Sequence, residues 1–88
     1  MTATTLEQEF LEAAEESKKL TIRPSNDSLL QLYSLYKQAT IGDVNTGPPD
    51  NQFDFVAKAK YDAWSSMKGQ SKESVMLQYI SLVNKLKT

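Results

Sequence analysis

Cysteine and histidine are both absent from the 88 residues. The first absence excludes disulfides, thiolate nucleophiles and Cys-based metal sites. The second removes the commonest general base and the commonest metal ligand together. No serine lies in a nucleophile-elbow context, so acyl transfer or thioester hydrolysis lacks both a nucleophile and a base. Apolar runs never exceed two or three residues, far short of the ~20 needed to span a bilayer. The opening Met1-Thr2-Ala3-Thr4-Thr5-Leu6-Glu7 has neither a basic segment nor an apolar one, so no secretory leader is expected there. Excess charge of one sign is also missing: ten Lys and Arg against eleven Asp and Glu leave a net charge of -1. That balance, with no helix-turn-helix pattern, argues against nucleic-acid binding. A soluble, cytoplasmic chain held by packing alone is expected.

Eighty-eight residues suit one domain spanning 1–88, since two halves would each bury too little to fold. Hydrophobic residues make up 40% and recur with helical rather than strand periodicity. The spacing predicts helices over about 5–20, 25–41, 55–68 and 71–86. Thr5 with Gln8 is an expected capping box for the first, whose stripe is Leu6, Phe10, Ala13, Ala14 and Leu20. Pro24 separates it from the second. Ser25 or Asn26 is the expected N-cap of the second helix and Gly42 its terminator. Residues 42–52 form the one long loop, holding two of three glycines and two of three prolines. Phe55, Ala59, Ala63, Trp64 and Met67 form the expected apolar face of the third helix, stopped by Gly69. Val75, Met76, Tyr79, Ile80, Val83 and Leu86 form that of the fourth. The fold class is all-α, a four-helix bundle.

Two constellations carry possible chemistry. Tyr33, Tyr36 and Lys37 lie at i, i+3 and i+4 and share one side of the second helix. Phenols beside an ammonium suit a ligand joining a flat heterocycle to an anion. On periodicity alone they also fit a core edge from which Lys37 reaches solvent, or a patch that recruits a protein partner. The second constellation is Lys58-Ala59-Lys60-Tyr61-Asp62-Ala63-Trp64. Lys58 and Lys60 are roughly 200° apart around the axis, so only one can face a given site. Trp64 falls on the core side. Glu7, Glu9, Glu12, Glu15 and Glu16 read as a solvated helix face, not as catalytic acids.

The run Leu32-Tyr33-Ser34-Leu35-Tyr36-Lys37-Gln38-Ala39-Thr40-Ile41-Gly42-Asp43-Val44-Asn45-Thr46 resembles the signature of the acyl-CoA-binding protein family. Phe10-Leu11-Glu12-Ala13-Ala14, the Lys58–Trp64 block, Lys68–Glu73 and Tyr79-Ile80 extend the likeness over essentially the whole chain. The resemblance implies an up-down-down-up bundle that binds and carries long-chain acyl-CoA without catalysis, needing no cofactor and no metal. It implies that Tyr36 stacks on adenine and that Tyr33, Lys37 and Lys60 gather around the ribose 3′-phosphate. Ser34 and Leu35 belong to the same contacting segment. Lys18 and Tyr79 line the site from the outer helices, and Ala14, Leu29 and Leu30 border the acyl chain. A monomer in transient contact with membranes or acyl-CoA-using enzymes is the implied state. Three departures from the pattern are Tyr61 in place of a usual Trp, Val56 in place of a frequent basic residue, and a longer 46–54 loop.

Overall fold

Local chemistry sets most of the helix boundaries in the computed structural model, which describes residues 5–87. The helices are α1 (Thr5–Ser17), α2 (Asn26–Thr40), α3 (Phe55–Ser65) and α4 (Lys72–Lys87), and there is no strand among the described residues. Thr5, expected as a cap, is already helical. Ser25 Oγ accepts the Ser28 N–H at 3.1 Å and caps α2. Asp54 Oδ1 accepts the Ala57 N–H at 3.0 Å and caps α3, and Ser71 Oγ does the same for Ser74 at 3.1 Å before α4. Each such cap satisfies an N–H that has no partner within the helix.

Two helices stop sooner than their apolar spacing suggests. After Ser17, Lys18 and Lys19 donate to Glu15 and Glu16 carbonyls three residues back. After Ser65, Met67 and Lys68 donate likewise to Trp64 and Ser65. The backbone tightens from the α to the 3₁₀ pattern at both ends. Gly42 and Gly69 follow α2 and the α3 turns with φ of 102° and 92°, a region costly for any residue with a Cβ.

The order of contacts gives the topology. Tyr33 meets Lys60 and Lys37 meets Trp64, so α2 and α3 advance in the same direction. Phe10 meets Tyr79 and Glu16 meets Lys87, so α1 and α4 are parallel too. Tyr36 meets Tyr79 whereas Gln38 meets Gln70, so α4 runs against α2. The bundle is therefore up-down-down-up, and the long 41–54 connection returns the chain along α2 to start a parallel neighbour.

The core is unevenly shared. Phe10 and Ala13 of α1, Leu32, Leu35 and Ala39 of α2, and Val75, Tyr79 and Val83 of α4 form one buried cluster. Full burial of a Val or Phe side chain contributes about 1.5–3 kcal/mol. From α3 only Trp64 is buried, and that helix packs against α2 alone. Phe55, expected on the inner face of α3, is instead 73% exposed; it sits in the first turn, where no second helix reaches. Because α1 packs on α4 and α3 on α2, the molecule is flattened to 40 × 32 × 18 Å. Part of α2 is left uncovered between its outer neighbours.

Candidate ligand-binding site

Two hollows open along that uncovered part of α2, and Leu29 lines both. One, between α1 and α2, encloses about 460 Å³ and is bordered by Leu11, Ala14, Lys18, Tyr33, Tyr36 and Tyr79, among others. The other, between α2 and α3, also encloses about 460 Å³, with Arg23, Leu30, Phe55, Val56, Ala59 and Lys60 in its wall. Volumes of this order are usual for small-molecule sites. Both walls are mainly apolar, and the basic groups sit at their edges.

Tyr33 lines the first hollow, and two ammonium groups converge on it, one of them from Lys60 in the wall of the second. The Nζ atoms of Lys37 and Lys60 lie 5.9 and 5.3 Å from its ring centroid. Lys37 also reaches over Trp64, 5.0 Å from the ring. These separations are within cation–π range. The choice left open between Lys58 and Lys60 is settled by the parallel packing of α2 and α3. Lys58 turns away and pairs with Asp62 at 3.2 Å, while Lys60 faces Tyr33. Lys18 pairs with Glu15 at 3.6 Å, an exposed contact worth about 0–1 kcal/mol. Lys37 and Lys60 form no ion pair with any described carboxylate. Their charges meet ring faces and solvent, so an incoming anion has no bridge to break.

Tyr36 is built as a platform. Its ring stacks on Phe10 with centroids 5.7 Å apart and planes 26° from parallel, yet 41% of the residue remains exposed. Phe10 in turn meets Tyr79 edge-on at 5.1 Å. A tyrosine backed by a buried phenylalanine keeps a fixed, accessible aromatic surface. Tyr79 borders the first hollow but is itself buried, and its hydroxyl lies 3.1 Å from Ser17 Oγ. Ser17 Oγ donates to the Ala14 carbonyl at 2.7 Å, leaving its lone pairs to accept from Tyr79.

Other expected residues are placed differently. The side chains of Ser34 and Leu35 are buried, Ser34 Oγ donates to the Gln31 carbonyl at 3.0 Å, and neither lines a hollow. They belong to the tyrosine segment by sequence but to the core by orientation. Arg23, Phe55 and Val56 were absent from the sequence-derived site and do line the second hollow. The register of α3 on α2 puts Phe55 and Val56 there. Arg23 comes from the connection before α2, where it donates to Asn26 Oδ1, and apolar periodicity within one helix encodes neither. Val56, noted as a departure, thus adds apolar wall where a charge would otherwise stand.

The remainder of the Tyr33–Asp43 string closes the C-terminal end of α2. Gln38 is buried; its Nε2 donates to Asp43 Oδ1 at 2.8 Å and to the Gln70 carbonyl at 3.0 Å. The Gly69 N–H donates to the same Asp43 oxygen at 2.9 Å. Trp64 Nε1 donates to the Gly42 carbonyl at 2.9 Å. The Gly69 bond first, then the Gln38 bond and the nearby Lys68 charge, hold the Asp43 carboxyl below the usual carboxylate range despite a small opposing burial effect. Gln38 Oε1 has no partner, but exchanging its oxygen and nitrogen would set oxygen against two acceptors, so the orientation is fixed.

Among the described residues no cluster of acidic side chains suits a metal ion, and no helix is long and apolar enough to cross a membrane. A family model described as "Acyl CoA binding protein" matches residues 7–83. The chain is 51% identical over 81 residues to the acyl-CoA-binding protein of Gossypium hirsutum, covering 92% of this chain and 90% of that one. It is 49% identical over 79 residues to that of Dictyostelium discoideum, covering 90% and 93%. Among solved structures, Oryza sativa acyl-CoA-binding protein 2 superposes with a TM-score of 0.85 at 47% identity, covering 92% of this chain and 89% of that one. The protein from Moniliophthora perniciosa gives 0.82 at 38%, covering 93% and 84%. A family match across residues 7–83, with relatives about half identical over nine-tenths of the chain, shows that the chain belongs to the acyl-CoA-binding protein family.

Proposed function

We propose that this protein binds long-chain acyl-CoA reversibly, one to one, and carries or buffers it in the cytoplasm as a monomeric single domain without catalysis. The observation that supports this best is the convergence of Lys37 and Lys60, neither paired with a carboxylate, on Tyr33, which lines one apolar hollow while Lys60 lines the other. A nucleotide phosphate answers the ammonium groups through charge-assisted hydrogen bonds. Tyr36 offers the adenine a ring backed by Phe10. Lys18 and Tyr79 border the head-group side, while Ala14, Leu29 and Leu30 border the tail.

The ligand explains why the hollows are open. Each methylene withdrawn from water contributes ~0.8 kcal/mol, so a long tail binds usefully even when half covered. An 88-residue chain cannot place such a tail inside its only core without giving up that core. Laying the tail along α2, with the CoA moiety folded over it, shields it without that sacrifice. The chemistry needed is binding alone: no group near Tyr33 is a histidine or cysteine, and the lysines hold charge instead of moving protons.

Calorimetric titration of delipidated protein with palmitoyl-CoA and with palmitate tests the reading. Saturable one-to-one binding of the thioester, with the free acid far weaker, is expected. Comparable affinity for both would refute a nucleotide-directed site. Binding of neither would leave the Tyr33–Lys37 face as a surface for a protein partner.

A further inference from the structure

The geometry points to Trp64 as a positioning residue that sets Lys37 for the phosphate of the ligand, an inference that rests on the acyl-CoA reading. Trp64 is the chain's single tryptophan and is only 4% exposed, which by itself describes a core residue. Its surroundings say more. The Lys37 ammonium is closer to the indole, at 5.0 Å, than to Tyr33, at 5.9 Å, and indole is the strongest cation–π partner among side chains.

The indole is also tied to the backbone that carries Lys37. The Gly42 N–H donates to the Lys37 carbonyl at 3.3 Å, and the Gly42 carbonyl accepts from Trp64 Nε1 at 2.9 Å. Lys37 is therefore held at both ends by one loop of contacts: its carbonyl through Gly42 to the indole edge, its ammonium on the indole itself. A lysine otherwise loses much rotamer freedom when it docks on an anion. Here that ordering is in place before the ligand arrives, and preorganisation of this kind improves affinity. Lys60 differs. It has one ring, Tyr33, at 5.3 Å and is exposed. The pair is thus asymmetric, with Lys37 fixed and Lys60 free to close on the anion.

Fluorination tests this, because fluorine withdraws electron density from the indole face while sparing the N–H donor and most of the shape. A single tryptophan lets biosynthetic incorporation of mono-, di- and trifluorotryptophan alter this site alone. Affinity for palmitoyl-CoA is expected to fall stepwise along the series, by about two- to fivefold at its end, with thermal midpoints confirming that each protein folds. The trend should persist in Lys60→Met. It should vanish in Lys37→Met and against 3′-dephospho-palmitoyl-CoA. In the ligand-free protein the Lys37 ε-protons should resonate upfield, and fluorination should reduce that shift. A flat series, a rising affinity, an equal slope in Lys37→Met, or no upfield shift would each overturn the inference. Absence of palmitoyl-CoA binding in the unmodified protein would instead remove the functional reading on which it rests.

Discussion

The C-terminal end of α2 and the face that carries Tyr33 and Lys37 use polar groups in opposite ways. At the end near Asp43, hydrogen bonds run between residues distant in sequence: Gln38 reaches Gln70, Asp43 reaches Gly69, and Trp64 reaches Gly42. Those bonds fasten the long loop and the α3–α4 turn to the helix. Near Tyr33, strong cations meet only ring faces and solvent. Satisfied polar groups stabilise the fold but offer little to a ligand, whereas groups held ready without an ionic partner do the reverse. One string of residues supplies both, so resemblance along that string does not by itself mean ligand contact.

The sharpest way to break this division is to remove the residue that joins the two functions. Phe10 is core, yet it backs Tyr36 and meets Tyr79. Phe10→Ala should cost about 3–5 kcal/mol of stability and also weaken palmitoyl-CoA binding, because the Tyr36 platform loses its support. Urea unfolding with titration of the folded variant checks both. A destabilised variant that binds normally would show that Tyr36 needs no backing. The next effect belongs to the closed end alone. Gln38→Leu removes two hydrogen bonds and leaves the Gln70 carbonyl without that donor, at a cost of about 2–3 kcal/mol. Intrinsic affinity of the folded protein should hardly move, as urea midpoints and calorimetry together would reveal.

These contrasts mark what could be read before any coordinates. Apolar spacing located the four helices, because burial on a helix follows a 3.6-residue period, and it placed Phe10, Trp64, Val75, Tyr79 and Val83 on inner faces. It could not say which helices touch. Phe55 fell on the apolar stripe of α3, but α3 has one neighbour where a fully enclosed helix has two, and so Phe55 stays exposed. Ser34 and Leu35 lie roughly 100° and 200° around the helix from Tyr33, whereas Tyr36 returns to within about 60°. That rotation sends the first two to the core and brings the third to the hollow. The Asp43–Gly69 and Gln38–Gln70 contacts are not legible in the sequence, because α3 and the segments flanking it separate the partners. Helix geometry alone does not choose between Lys58 and Lys60; the family resemblance implies Lys60, and the register of α3 on α2 sets Lys60 beside Tyr33.

On the open face, Lys37→Ala and Lys60→Ala should each weaken palmitoyl-CoA binding by ~1–3 kcal/mol with little change in the ligand-free thermal midpoint. Against 3′-dephospho-palmitoyl-CoA the same substitutions should cost much less, since the partner is already gone. Lys72→Ala, in the first turn of α4, is the control. Equal losses for Lys37 and Lys72 with both ligands would mean that the lysines act through general charge alone, a salt-sensitive effect.

The smallest expected effect comes from titrating the closed end. Asp43 accepts from the Gly69 N–H and from Gln38, and these bonds favour its ionised form, lowering its pKa. In the unfolded chain its carboxyl reverts to about 3.9. The folded state therefore binds this proton less readily than the unfolded state does. Asp43 contributes stability above the unfolded value, and the contribution disappears as pH falls through the lower folded value. The group is exposed, so solvent keeps the effect small. Asp43→Asn isolates it, because the amide oxygen can still accept both hydrogen bonds without the charge. Urea midpoints for the two proteins should differ near neutral pH and converge as pH drops below about 4. Titrations with palmitoyl-CoA above that range should give the same affinity for both, because Asp43 lines neither hollow. A stability gap that stays constant to low pH would show that Asp43 acts by shape instead of charge. A change in affinity would mean that the Asp43 contacts, and not the Trp64–Gly42 bond alone, act on the site.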